Sequence, residues 1–146
     1  MNIKITSLAG LGIALLGLIY LYEKNLIFSN NIVAIIIQIL AAGLMIWSRM
    51  TFGFRSFHAT ANTTKGGLVT NGPYHWFRHP IYASLIYFFW SCIIAFPFKE
   101  TILAVLLITV GLLIRIFLEE KSLIDSYKQE YLDYSKTTKK IIPFIF

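Results

Sequence analysis

The chain has 146 residues and a formal net charge of +6, with 57% hydrophobic and only 14% charged residues. Soluble domains run at roughly 45–50% apolar and about 25% charged, so a water-soluble domain of this size is excluded and one integral membrane domain is expected. The basic excess fits lysines and arginines gathered in cytoplasmic loops rather than a nucleic-acid surface. The single cysteine, Cys92, lies in an apolar run and has neither a disulfide partner nor a metal-ligand spacing.

Residues 5–22 form an apolar run led by Lys4. No small-x-small cleavage pattern ends it and further hydrophobic runs follow, so a first transmembrane helix is expected rather than a signal peptide. Gly10, Ala14 and Gly17 fall near one another on that helix and permit a neighbour to approach closely. Tyr20 and Tyr22 suit a membrane interface. A polar break follows, with Asn30-Asn31 as a turn or cap signal. Residues 32–47 make the second span, interrupted only by Gln38, for which an interhelical hydrogen bond is expected.

Residues 50–65 are mixed. Phe52, Phe54 and Phe57 alternate with Gly53, Arg55 and Ser56, and His58 follows, which suits either an interfacial segment or one wall of a pocket. The stretch from Asn71 to Tyr82 packs turn residues, aromatics, His75, Arg78 and His79 between two prolines. Pro80 can open a third span over 81–96, since a first-turn proline loses no helical hydrogen bond. Residues 97–100 allow only a tight hairpin before a fourth span over 101–118. Beyond it, Leu123, Tyr127, Tyr131 and Tyr134 recur at helical spacing, predicting an amphipathic interface helix continuing from the fourth span or bent off it. The apolar tail, residues 141–146, is expected to fold back on the bundle or the bilayer. The fold class is therefore all-α, an integral membrane helical bundle of about four spans. Two N-terminal helices occupy 1–48, and a core occupies 65–146.

With four spans, one side collects Lys4, Arg49, Arg55, Lys65, Arg78 and the C-terminal lysines, while Lys24 and Lys99 stand on the other. The positive-inside rule then puts both termini and the 49–80 connection in the cytoplasm, in a multi-pass protein expected in a bacterial inner (cell) membrane. Arg78 and His79 thereby share a face with the 115–120 segment. Arg115 and Glu119 lie four apart on one helical face. Arg115 is still inside the apolar run, where a cation is costly and usually functional or snorkelling. Glu120 adds a second carboxylate. Together these groups can build a polar pocket half sunk in the bilayer. His75 and His79 are four apart, but Pro80 disfavours helix at His79 and no third ligand has motif spacing, so no metal is expected. Walker, GxGxxG, HExxH and GxSxG motifs are absent.

Residues 68–74 (LVTNGPY), then 78–82 (RHPIY), then Arg115-x-x-x-Glu119-Glu120, the 131–134 region and the Pro143-Phe144-Ile145 ending resemble the isoprenylcysteine carboxyl methyltransferase family in order and spacing. The resemblance covers roughly residues 65–146. It implies a membrane methyltransferase that uses S-adenosylmethionine without a soluble Rossmann fold. It further implies cofactor contacts from Gly67, Leu68, Val69, Tyr74, His79, Pro80, Ile81, Tyr82 and Glu119, with Arg115 facing the substrate as the catalytic residue. Gly66 stands where eukaryotic members often carry a histidine. The implied acceptor is the carboxylate of a lipophilic or lipid-anchored molecule entering from the bilayer at the cytoplasmic face. The alternatives are N-methylation of a phospholipid headgroup and an NADPH enzyme like the membrane sterol reductases, which would want a richer basic cluster for a 2′-phosphate.

Overall fold

The computed structural model describes residues 3–53 and 67–142, and its regular structure is helical throughout. The segment with Phe54, Arg55, Phe57, His58 and Gly66, and the tail from Pro143 to Phe146, lie outside the described residues. Helix α1 spans Ile3–Glu23, α2 Ile32–Phe52, α3 Pro80–Ala95 and α4 Lys99–Thr137, with a 3-10 turn at Gly72–His75 before α3.

Each boundary has a local cause. Helix α1 closes where Asn25 takes a left-handed φ of 53°, a conformation that asparagine tolerates, and Leu26 N donates to Leu21 O at 2.9 Å. Helix α2 opens on Asn31, whose Oδ1 accepts from Val33 N at 3.0 Å and Ala34 N at 3.2 Å. Pro80 stands at the start of α3, and Phe96 N donates to Cys92 O as that helix ends before Pro97. Between α1 and α2, Leu26 and Ile27 tuck back against the core. Gln38 donates to Ile27 O at 2.8 Å, which ties α2 to this connection, and its side chain also meets Cys92 of α3, the interhelical bond expected of it.

Helix α1 packs along α4, α4 against α3, and α3 against α2. The α1–α4 seam uses the small residues picked out in the sequence. A Cβ on Gly10 would lie 2.9 Å from Gly111 O, and one on Gly17 would meet the Ala104 carbonyl and the Ile108 side chain. Without a hydrophobic force between helices in lipid, such close backbone approach is what dispersion needs to hold them together. The seam runs antiparallel, Gly17 beside Ala104 and Gly10 beside Gly111, and it leads up to Ser7 beside Arg115.

Helices α1, α2 and α4 are long and apolar enough to cross a membrane. The third expected span is shorter. Helix α3 has 16 residues, about 24 Å at 1.5 Å per residue, against a hydrocarbon core of about 30 Å. Pro80 and Pro97 fix its length, so the polar residues just before Pro80 start nearer the apolar layer than a full span would leave them.

Helix α4 runs for 39 residues and merges the fourth span with the amphipathic segment. It is broken at Lys128, which has φ 48° and ψ −120°. The consequence is visible at Tyr131, whose hydroxyl donates to Glu120 Oε1 at 3.2 Å. In a straight helix those two residues would be separated by about 16 Å along the axis, so only a chain that bends back can bring them together.

Gly17→Leu is expected to destabilise the bundle by about 1–3 kcal/mol, whereas Gly12→Leu, where a side chain meets nothing within 4 Å, is nearly neutral. Thermal unfolding in detergent separates the two. Lys128→Gly is expected to raise stability by up to about 1 kcal/mol, because its dihedrals match a turn position natural to glycine, and Lys128→Val to lower it.

Candidate functional site

The site is built where the chain returns on itself. Residues 76–79 leave the 3-10 turn and run beside 139–140, paired in parallel through a single bridge between Phe77 and Lys139. Arg78 N donates to Lys139 O at 2.7 Å and His79 N to Lys140 O at 3.0 Å. The Arg78 guanidinium closes the end of α4, Nη1 donating to Ser135 O at 3.0 Å and also to Thr138 O. Tyr87 OH, from α3, donates to Ile141 O. Tyr134 OH donates to Tyr74 O at 2.5 Å, which ties the bent end of α4 to the 3-10 turn.

At the centre of this return lies Glu120. Arg78 Nε is 3.0 Å from Oε1, Lys140 Nζ is 3.1 Å from Oε2, and Tyr131 OH donates to Oε1. His79 Nε2 stands 3.4 Å from Oε1, an electrostatic contact whose angle is not that of a hydrogen bond; the nitrogen is buried with no hydrogen-bond partner among the described residues. Lys140 also lies 4.4 Å over the Phe117 ring. Burial disfavours the charged carboxylate, but the neighbouring His79, Arg78 and Lys140 outweigh it and hold Glu120 down to about 2, from an ordinary 4.5. Burial, reinforced by the Glu120 charge, pushes the Tyr131 hydroxyl up, and burial raises Tyr134 to about 12, so both stay protonated donors.

A second group faces Glu119, one residue away. Its charge acts on Tyr74 and on Tyr82, and Arg115 acts on Tyr82 as well. Tyr74 is buried, its ring 5.5 Å from Phe52, and burial followed by the Glu119 charge raises its hydroxyl. The His79 and Tyr82 rings meet edge-on at 5.9 Å. Arg115 is 6% exposed, and its Nη1 donates to Ser7 Oγ at 3.3 Å and Ser7 O at 3.4 Å. That contact joins α1 to the site end of α4.

Of the residues expected at a site, Tyr74, His79, Tyr82, Arg115 and Glu119 come together at one end of the bundle. Pro80 is buried and Ile81 half-buried at the start of α3. Gly67, Leu68 and Val69 lead into the 3-10 turn without regular structure, Gly67 with φ 79°, and no hydrogen bond or ion pair joins them to the others among the described residues. The sequence reading missed Tyr131 and Tyr134. Their helical spacing suggested a plain interface helix, yet Tyr131 is 2% exposed and donates to Glu120. The spacing was right; the bend at Lys128 turned that face inward.

Because Glu120 ionises far more readily in the folded chain, its stabilisation is complete above about pH 4.5 and is lost as pH falls from there through about 2. The loss is at most about 3 kcal/mol, since part of the carboxylate's attraction is screened by water. An acid titration of unfolding should show this slope, and Glu120→Gln should flatten it.

The sequence profile of the family described as Phospholipid methyltransferase matches residues 29–130, which takes in α2, the 3-10 turn, α3 and most of α4. A protein-S-isoprenylcysteine O-methyltransferase of Tribolium castaneum is 35% identical over 95 residues, covering 53% of this chain and 28% of that protein. One of Xenopus laevis is 30% identical over 125 residues, covering 79% of this chain and 41% of that protein. The chain thus spans less than half the length of these relatives. No solved structure matches it. With the profile running through Arg78, His79, Arg115, Glu119 and Glu120, the chain belongs to the phospholipid methyltransferase family.

Proposed function

We propose that the protein is an S-adenosylmethionine-dependent methyltransferase that esterifies a carboxylate on a lipophilic molecule at the cytoplasmic membrane face. The observation that carries this reading is the meeting of Tyr74, Tyr82, Arg115 and Glu119, drawn from three separate segments, beside His79. The residues fit the cofactor. Glu119 is a half-buried carboxylate between two tyrosines, suited to a ligand with sulfonium and ammonium charges, and His79 Nε2 offers a buried polar atom that lacks a hydrogen-bond partner among the described residues. Tyr74, His79, Tyr82 and Glu119 would hold it, with Gly67, Leu68, Val69, Pro80 and Ile81 lining the approach. When bound, the cofactor supplies a methyl group made electrophilic by its sulfonium.

The chain's own part is positioning and exclusion of water. An acceptor carboxylate is already anionic and needs no base. Arg115 has a planar set of donors that suits a carboxylate, and its Ser7 contacts hold the guanidinium in place. It orients the acceptor from a buried position, where the attraction is not diluted by water.

The description of the matching family favours a second reading, transfer to a phospholipid headgroup amine. An amine must shed a proton. Glu120 is committed to Arg78 and Lys140, whereas Glu119 makes no ion pair among the described residues and is the carboxylate suited to act as base.

Labelled-methyl transfer into a membrane extract decides between the readings: label released by mild base marks an ester, and stable label marks N-methylation. Calorimetry of the purified protein should detect S-adenosylmethionine, with His79→Ala or Glu119→Ala weakening binding by about tenfold or more. Arg115→Ala should spare binding and lower turnover. Absence of binding at millimolar cofactor sinks the methyltransferase reading.

A further inference from the structure

Two adjacent glutamates end the apolar part of α4, and neighbouring positions on a helix point about 100° apart. Glu119 acts on Tyr74 and Tyr82, inside the group of residues expected to meet the cofactor. Glu120 points the other way and gathers Arg78, His79, Lys140 and Tyr131. Three of its partners come from the two strands of the chain return, and the fourth from the bent end of α4. Much of the polar linkage of the return involves this carboxylate or its partner Arg78. The Arg78 backbone and side chain bond residues 135–139, and the His79 backbone bonds Lys140.

We propose that Glu120 is a positioning residue of the site: through Arg78 and Lys140 it clamps residues 138–141 against 77–79, so that the returning segment sets where His79 stands beside it. The inference rests on the methyltransferase reading for what His79 then does, but the clamp itself does not depend on that reading. His79 has its backbone held by Lys140 O and its Nε2 beside Glu120 Oε1, so both ends of the residue are referenced to the same cluster. Glu119 stays at the ligand while Glu120 stays with the protein. The division follows from charge: a carboxylate already neutralised by two cations is a poor partner for a third cation arriving with a ligand, whereas Glu119 makes no ion pair among the described residues.

The test uses the full chain in detergent, with S-adenosylmethionine as the probe. Calorimetry measures affinity, and amide exchange by mass spectrometry follows peptides covering 76–80 and 136–142. Glu120→Gln keeps the shape and removes the charge; Glu120→Asp keeps the charge one methylene shorter. We expect Gln to speed exchange in both peptides at least tenfold and to weaken cofactor binding about tenfold, and Asp to restore most of both. A packing role would rank them in reverse, because the isostere Gln would be the milder change, and that order overturns the proposal. Weakened binding with unchanged exchange also overturns it, since Glu120 would then touch the ligand itself. If Glu120→Gln does not fold, Lys140→Met removes one arm of the clamp and should loosen the same two peptides; unchanged exchange there counts against the proposal. If the parent chain binds no cofactor, the functional reading fails while exchange in the three variants still decides the clamp.

Discussion

A carboxylate taken out of water must be neutralised, and at Glu120 that requirement organises the whole polar end of the bundle. Desolvation alone would push its proton on; Arg78 and Lys140, with His79 beside them, more than reverse this. Those partners are far apart in sequence, Arg78 lying 42 residues from Glu120. They reach it only if α4 bends at Lys128, the chain turns back after Thr137, and the segment before Pro80 lies beside the returning chain. Desolvating the cations offsets part of the attraction gained, and breaking one arm leaves a charge stranded. The cluster also specifies one arrangement among the many that apolar helices in lipid would accept.

The apolar part supports that arrangement by a different means. Gly10, Gly17 and Gly111 let α1 and α4 approach until backbone meets backbone, and that contact fixes the height at which Ser7 meets Arg115. A cation inside an apolar run is tolerable when it has such contacts. The short α3, bounded by Pro80 and Pro97, brings the histidine-bearing segment to the same level. Helix packing and ion pairing thus place the same few side chains from opposite directions.

Tyr74, Tyr131 and Tyr134 link the two systems. Tyr74 and Tyr131 are buried and Tyr134 half-buried, and the hydroxyls of Tyr131 and Tyr134 meet Glu120 and the Tyr74 carbonyl. Phenols suit this position, having apolar bodies for the bundle and protonated tips for the polar cluster.

Much of this was legible in the residues. Unbroken apolar runs can only bury their backbone polar groups as helices, and Asn31, Pro80 and Pro97 mark ends by local chemistry that needs no neighbour. The small residues of α1 announced a close partner, and the even number of apolar runs brought Arg78 and His79 to the face of Arg115–Glu120. The sequence did not say which helix the glycines would meet, that Gln38 would bond a loop carbonyl, or that Tyr131 would turn inward. Above all, composition and spacing could not distinguish Glu119 from Glu120, which are chemically identical neighbours that only the family resemblance set apart. Their surroundings differ because packing points one at Tyr74 and Tyr82 and the other at Arg78 and Lys140. Local pattern determines where helices begin and end, since those preferences act within a turn or two. Partners across long stretches of chain are chosen only when the whole bundle closes, because the strained bend at Lys128 is held by contacts that exist nowhere else.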